Sequence, residues 1–385
     1  MARFLHIADL HLGRTLHNVS LLDDQVAVLR QIETFLRESS PAVDAILLAG
    51  DIYDRSIPPT DAINVLNDFL NHVAGDLGIQ TIMIPGNHDS AERLGFAAAL
   101  TKPTLHIAPP LTAAIKPVVI NDDAGPIDIF PLPFLDPTLV RSITGNPEVR
   151  DQDSAMSEMV SRIIAERQSP RSVLVAHAFV RDGETSESER DLYVGGSSLV
   201  TAKTLDNFNY VALGHLHKAQ AVDHDKRIQY SGSLLKYSKS EAEHVKSFSV
   251  IDMDGNGDIT VQRIPITPVH DLRVIQGTFS AICAEAHEDP HRDDYIFFEL
   301  TDRDPISEVM ARLKVSYPNA VHLRYAERQV EGPMKVASTQ HREVSMDKHF
   351  ERFYHAVTKE TLEDDQRARL AQVIRELGAD LEALP

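Results

Sequence analysis

Five short apolar runs in this chain each end in polar residues of the kind that bind cations, and that repetition narrows what the chain can fold into. Phe4 to Ala8 leads into Asp9-Leu10-His11, and Ala45 to Ala49 into Gly50-Asp51-Ile52-Tyr53-Asp54. Ile82-Met83-Ile84 leads into Pro85-Gly86-Asn87-His88-Asp89, Val173 to Ala176 into His177, and Val211 to Leu213 into Gly214-His215-Leu216-His217. An apolar run that stops at glycine or a charge reads as a buried strand delivering a loop. In layered α/β folds the loops at the carboxyl ends of strands converge on one crevice, so side chains far apart in sequence can become neighbours.

The segments between the first runs have helical spacing. Leu22, Val26, Leu29, Ile32, Phe35 and Leu36 form one apolar stripe, and Asp61 to Leu77 reads as a second helix. Strand and helix in alternation predict an α/β core with parallel pairing. Asp89 to about Ala98 reads as another helix. After Leu100 the chain is punctuated by Pro109-Pro110, Gly125-Pro126, Pro131, Pro133 and Pro137, which favours short strands in a meander. A helix follows from Asp151 to Gln168, with Met156, Met159, Val160, Ile163 and Ile164 on one face. Lys246 to Met253 and Asp258 to Ile264 read as strands joined by the hairpin signal Asp254-Gly255-Asn256-Gly257.

Pro265 and Pro268 mark a boundary, which gives a first domain over 1–265. Leu272 to Ile275, Phe279 to Ala286, Tyr295 to Leu300, Ile306 to Val315 and Ala320 to Tyr325 then alternate strand and helix, a small α+β domain over 266–328. Residues 329–341, with Gly332-Pro333, read as a linker, and 342–385 as a helical tail. There Phe350, Phe353, Tyr354 and Val357 fall at i, i+3, i+4 and i+7, and Leu370, Val373, Ile374 and Leu377 repeat that spacing.

Composition removes several function classes. With 38 Lys plus Arg against 57 Asp plus Glu, a formal charge of −19, the chain is not one that coats nucleic acid by counterion release, so any contact with nucleic acid is local. A single cysteine, Cys283, excludes an intrachain disulfide framework and fits a reducing compartment. No apolar run is long enough to span a bilayer, and the N-terminus passes straight into a strand, so a cytoplasmic protein with no membrane attachment is expected.

The chemistry lies in the polar clusters. Residues at i and i+2 of an extended segment point to the same side, so Asp9 with His11, and His215 with His217, can each grip one region. Asp9, His11, Asp51, Asn87, His177, His215 and His217 offer imidazole, carboxylate and carboxamide donors and no thiolate. That inventory suits two divalent ions, Mn²⁺ first, with Fe²⁺, Zn²⁺ or Mg²⁺ as alternatives, and it is poor for Ca²⁺ or a structural zinc. Asp51 is the candidate bridge between ions about 3.5 to 4 Å apart. Taken alone, Asn87 reads equally as the cap of the helix that follows.

These five clusters, in this order, resemble the signature of the calcineurin-like metallophosphoesterases: Asp-x-His, Gly-Asp-x-x-Asp, Gly-Asn-His-(Asp/Glu), a lone His and Gly-His-x-His. The likeness covers roughly Met1 to Ile264. Within that superfamily, His6-Ile7-Ala8-Asp9-Leu10-His11-Leu12-Gly13, Tyr230-Ser231-Gly232-Ser233 and the clusters themselves are similar to the bacterial branch of the double-strand-break repair nucleases. Asp54 stands where the archaeal and eukaryotic branch usually has a second catalytic histidine, and its role is open.

The resemblance implies a layered sandwich of two mixed β-sheets flanked by helices, with a small α+β capping domain and a C-terminal helical pair. It implies one cation held by Asp9, His11, Asp51 and His217 and another by Asp51, Asn87, His177 and His215. His88 would protonate or stabilise the leaving oxygen, oriented by Asp89, and Arg14 and Arg55 would neutralise phosphates. The implied activity is 3'-5' exonuclease on double-stranded DNA and endonuclease on hairpin or single-stranded DNA. The implied partners are DNA, an SMC-like ATPase docked on the tail stripes, and a second copy of the chain, met through helices near Asp61 to Leu77 and Asp89 to Ala98, within a heterotetramer. A phosphodiesterase or phosphatase acting on small nucleotides or phosphoproteins would share every ligand.

Overall fold

Alternation along the first strands dictates a sheet covered on both faces. On strand Ala2–Ile7, Phe4 faces one apolar cluster while Leu5 and Ile7 face another; on Ala45–Ala49, Ala45, Leu47 and Ala49 oppose Ile46 and Leu48 in the same way. A computed structural model describes residues 1–96, 103–189, 198–326, 350–351, 354–355 and 361–382. Within it these strands belong to a six-stranded sheet ordered Ile259–Pro265, Ser247–Met253, Ala2–Ile7, Ala45–Ala49, Gln80–Ile84 and Leu105–Ile107. The last four run parallel, and the first two form an antiparallel hairpin through Asp254 and Asp258.

A second six-stranded sheet is ordered Gln220–Ala221, Ile228–Tyr230, Tyr210–Gly214, Arg171–His177, Gly125–Pro131 and Val118–Asp122. Its four interior strands are parallel and only its edges are antiparallel. The meander expected beyond Leu100 is therefore confined to the hairpin of Val118–Asp122 with Gly125–Pro131; prolines mark where strands stop and carry no information about their direction.

The inner faces of the sheets meet in a layer of Phe4, Leu47, Ile82, Ile129, Val173 and Val175. Outside the first sheet, helices Leu22–Glu38 and Thr60–Leu70 bury Val28, Ile32, Leu66 and Phe69 against it. Helices Pro137–Thr144 and Gln152–Glu166 cover the second with Val140, Met156, Met159 and Ile163. The result is the layered sandwich of two mixed sheets flanked by helices.

Three helices differ from expectation. The one expected over Asp61 to Leu77 is α-helical only to Leu70 and continues as a π-helical run over Asn71–Asp76. The one expected from Asp89 shrinks to Ala91–Leu94, its cap being Ser90, whose side chain accepts from the Arg93 N–H; residues 97–102 lie outside the described residues. Helix Pro137–Thr144 was not anticipated, although Asp136 caps it, proline opens it, and Gly145 (φ 70°) closes it.

Strands Leu272–Gly277, Tyr295–Leu300 and Ala320–Tyr325 form a parallel three-stranded sheet. Helices Phe279–Glu285 and Val309–Ser316 cover one face through Ile282 and Leu313, while Leu272, Tyr295, Phe297 and Val321 on the other join the cluster around helix Leu22–Glu38. Residues 1–326 form one compact unit and residues 327–385 a second. In the second, the Phe350 and Tyr354 rings stack with centroids 6.5 Å apart, and a helix runs over Asp364–Glu382. Leu370 is half-buried and Val373 exposed; Phe353, Val357, the 329–341 linker and the side chains of Ile374 and Leu377 lie outside the described residues. No helix among the described residues is long and apolar enough to cross a membrane.

Candidate metal centre

The parallel strands deliver all five polar clusters to one end of the sandwich, where the two sheets nearly touch. Asp9, His11, Asp51 and His215 adopt positive φ (52°, 44°, 49° and 110°), a conformation that costs non-glycine residues about 1 to 3 kcal/mol each and persists only where the surroundings impose it. Here the first loop is pinned to the second, the Asp9, His11 and Leu12 amides donating to the carbonyls of Gly50 (3.1 Å), Asp51 (3.0 Å) and Ile52 (2.9 Å). Glycine is required where loops press together. A Cβ on Gly86 would lie 2.2 Å from Asp51 Oδ1, and one on Gly214 would lie 1.9 Å from the Ala49 carbonyl oxygen.

All seven candidate ligands meet there. His11 Nε2 lies 3.1 Å from His217 Nε2, and both rings sit within reach of the Asp9 carboxylate, donor atoms within 4.8 Å of one another. On the other side Asn87 Oδ1 lies 2.9 Å from His177 Nε2 and 3.2 Å from His215 Nδ1. Asn87 is thus turned into the site and is no helix cap. Asp51 stands between the halves, its Oδ2 3.7 Å from His11 Nε2 and 3.5 Å from His177 Nε2. The His177 Nδ1–H donates to the Ala49 carbonyl (2.9 Å), which turns its Nε2 toward the cluster. The Asp9 carboxylate also accepts from the His215 amide at 2.9 Å.

His88 is buried at the rim. Its Nδ1 lies 2.8 Å from the Asp54 carbonyl oxygen, and its Nε2 is 3.9 Å from Asp51 Oδ2. The Asp89 carboxylate accepts the backbone amides of Gly86 (2.9 Å), Ile52 (3.0 Å) and Tyr53 (2.9 Å), fastening the Asn87 loop to the Asp51 loop. Arg14 donates to Asp54 Oδ1 and to the Ser188 carbonyl, both at 3.3 Å, and its guanidinium lies 4.9 Å from the Tyr237 ring centroid. Arg55 is exposed.

Burial drives the electrostatics. It pushes the Asp9 carboxyl up to about 7 against the pull of His177 and His217, and it pushes His215 down to about 3. Burial opposes charge on Asp51 and His177 as well, but the pair offset each other's penalty: imidazoles around Asp51 hold its carboxyl well below the usual range, and Asp51 lifts His177 to about 9. Several acids and bases crowded into a buried site form the donor set a cation would complete. His11 Nδ1, on the far side of the ring, faces Asp54 Oδ1 at 3.9 Å.

Sequence patterning missed a polar network behind His217. Ser188 Oγ lies 2.6 Å from His217 Nδ1 and donates to Glu241 Oε1 at 2.5 Å, while Lys246 donates to Glu241 Oε2 at 2.6 Å. Glu189 Oε1 accepts the His217 amide at 2.7 Å. Ser188 and Glu189 sit in a stretch that reads as a surface loop, and Glu241 and Lys246 carry no periodic signal; only a charge within an otherwise buried run, at Lys246 beside strand Ser247–Met253, hinted at them. Conversely His6, a ligand type on an apolar strand, is a core residue: its ring nitrogens meet the Tyr210 hydroxyl (2.9 Å) and the Leu213 carbonyl (3.2 Å).

Comparison with known proteins agrees with this geometry. Residues 2–219 match the family described as calcineurin-like phosphoesterase, and residues 268–358 match the type 5 capsule protein repressor C-terminal domain. The chain is similar to SbcD of the nuclease SbcCD from Staphylococcus epidermidis, 32% identical over 323 residues that cover 83% of this chain and 84% of that one. It is likewise similar to SbcD of the nuclease SbcCD from Staphylococcus saprophyticus, 31% identical over 379 residues that cover 97% of this chain and 98% of that one. The chain is a metal-dependent hydrolase of the calcineurin-like phosphoesterases and belongs, within them, to the SbcD family of SbcCD nuclease subunits.

Proposed function

We propose that the chain cuts the phosphodiester backbone of DNA in the cytoplasm, as a 3'-5' exonuclease on double strands and an endonuclease on hairpin or single-stranded DNA, in company with an SbcC-type SMC-like ATPase. The observation that carries this reading is the convergence of seven donor groups, six buried and Asn87 half-buried, with Asp51 between the two halves and His88 at the rim. Asp9, His11, Asp51 and His217 would hold one divalent cation and Asp51, Asn87, His177 and His215 a second, Mn²⁺ best matching the mixture of imidazole and oxygen donors. When bound, such a pair supplies positive charge against the phosphate and lowers the pKa of a water nucleophile.

The chain's own groups do the rest. Asp51 fixes the separation of the two halves, and the amides that pin Asp9 and His11 remove any need to reorganise them during reaction. His88, its Nδ1 held by the Asp54 carbonyl, turns Nε2 toward the centre. In its imidazolium form it delivers a proton from Nε2 to the departing sugar oxygen. Asp89 acts at one remove, by holding the two loops together. Arg14 can reach an incoming phosphate only by giving up Asp54, and the exposed Arg55 would meet one in the loop after Asp54.

A formal charge of −19 leaves this chain poorly suited to hold DNA alone, so the ATPase would contribute the clamping surface, docking on the stripes of Phe350, Phe353, Tyr354, Val357, Leu370, Val373, Ile374 and Leu377. A homodimer within a heterotetramer follows from the family. The test is cleavage of linear, hairpin and single-stranded DNA by the purified chain with Mn²⁺, with and without SbcC, and with chelator. Metal-dependent DNA cleavage is expected. Hydrolysis of a small phosphodiester with no cleavage of any DNA, even with SbcC present, would overturn the substrate assignment.

A further inference from the structure

His217 is gripped from behind by a buried chain of polar groups whose directions can be worked out. Glu241 is fully buried, and its Oε1 accepts from the Ser188 hydroxyl (2.5 Å), the Ser238 hydroxyl (2.9 Å) and the Tyr237 amide (3.3 Å), while Oε2 faces the Lys246 ammonium at 2.6 Å. A carboxylate beside an ammonium is acceptor only, so the single Ser188 proton points to Glu241. The Ser188 oxygen then offers only lone pairs to His217 Nδ1, 2.6 Å away, and that nitrogen must carry the imidazole proton. Were the hydroxyl turned round, two buried acceptor oxygens would face each other at 2.5 Å.

We propose that Ser188 and Glu241 are positioning residues that lock His217 into one tautomer and orientation, with the Nε2 lone pair aimed at the cation held by Asp9 and His11. Lys246 completes the device. Besides neutralising Glu241 it donates to the His217 carbonyl oxygen (2.9 Å) and to Ser233 Oγ (2.8 Å), while Glu189 Oε1 receives the His217 amide at 2.7 Å. Ring and backbone are therefore held from both sides, and the stretch carrying Ser188 and Glu189 is part of the metal centre. A carboxylate behind a ligating imidazole raises its basicity, and losing such a partner costs about 10- to 100-fold in metal affinity.

The inference rests on His217 being a ligand, and the test separates the two claims. Mn²⁺ is titrated into metal-free full-length protein by calorimetry, with folding followed by circular dichroism and thermal unfolding, for wild type, Ser188→Ala, Ser188→Thr and His217→Ala. Ser188→Ala removes a hydroxyl without stranding a buried charge. The expected result is about 10- to 100-fold weaker binding at one of two sites in Ser188→Ala, the other unchanged, with recovery in Ser188→Thr. Loss of one site in His217→Ala with wild-type binding in Ser188→Ala overturns the relay alone. Wild-type binding at both sites in His217→Ala overturns the ligand assignment on which it rests. If Ser188→Ala fails to fold, Ser188→Gly, which removes the same hydroxyl and leaves Glu241 paired with Lys246, carries the same expectation and the same refutation.

Discussion

Asp89 is the residue whose replacement best separates a mechanical from a chemical role. Its two oxygens accept three backbone amides, Ile52 and Gly86 at Oδ2 and Tyr53 at Oδ1, and these are the stitches between the Asp51 loop and the Asn87 loop. A hydrogen bond to a charged group contributes about 1.5 to 3 kcal/mol, so Asp89→Ala should cost about 4 to 9 kcal/mol, a large share of the 5 to 15 kcal/mol that typically separates a folded domain from its unfolded chain. In Asp89→Asn the carboxamide oxygen can keep the Ile52 and Gly86 amides, but its NH₂ confronts the Tyr53 N–H. One bond is lost, at about 1 to 3 kcal/mol. Urea unfolding of metal-free protein should rank wild type above Asp89→Asn and Asp89→Ala lowest, with Mn²⁺ affinity falling in the same order. An Asp89→Ala protein of wild-type stability and metal affinity that had lost only turnover would refute the stitching role and return Asp89 to the service of His88.

Four further outcomes are expected. His88→Ala should abolish DNA cleavage while retaining both cations in elemental analysis, since His88 borders the donor set; near-normal cleavage would count against its role. Because metal-free His177 holds a proton to about pH 9 and Asp9 to about pH 7, a cation must displace protons, so Mn²⁺ affinity should climb between pH 7 and 9 and calorimetric heats should depend on the buffer's ionisation enthalpy; heats independent of buffer at about pH 7.5 would contradict this. The same raised pKa means that the stability His177 gives the metal-free protein is intact below about pH 6.5 and is lost as the pH passes about 9. Deleting residues 347–385 should remove co-purification with the SbcC-type partner and leave Mn²⁺ stoichiometry unchanged; undiminished co-purification would exclude the tail as the docking segment.

The strands and the donor set were legible because both follow local rules. Alternating or continuous apolar runs fix the strands, and glycine with ligand-type residues at their ends fixes the loops, so the strands and helices from Leu272 to Tyr325 are found to within three residues at each end. What was illegible depends on tertiary partners. Nothing in the order of residues says that Gly125–Pro131 pairs parallel with Arg171–His177, or that His6 spends both ring nitrogens on Tyr210 and Leu213 while His11 does not. Helix Pro137–Thr144 had its cap, its opening proline and its closing glycine in plain view, but within a proline-rich stretch the same proline reads as a breaker. Ser188 and Glu241, 53 positions apart, meet at His217 through folding alone.

Anomalous diffraction from crystals of the protein grown with Mn²⁺ tests the dinuclear site directly. Two peaks about 3.5 to 4 Å apart are predicted, one among Asp9, His11 and His217, the other among Asn87, His177 and His215, with Asp51 touching both. A single peak, or a pair bound away from these side chains, would contradict the assignment.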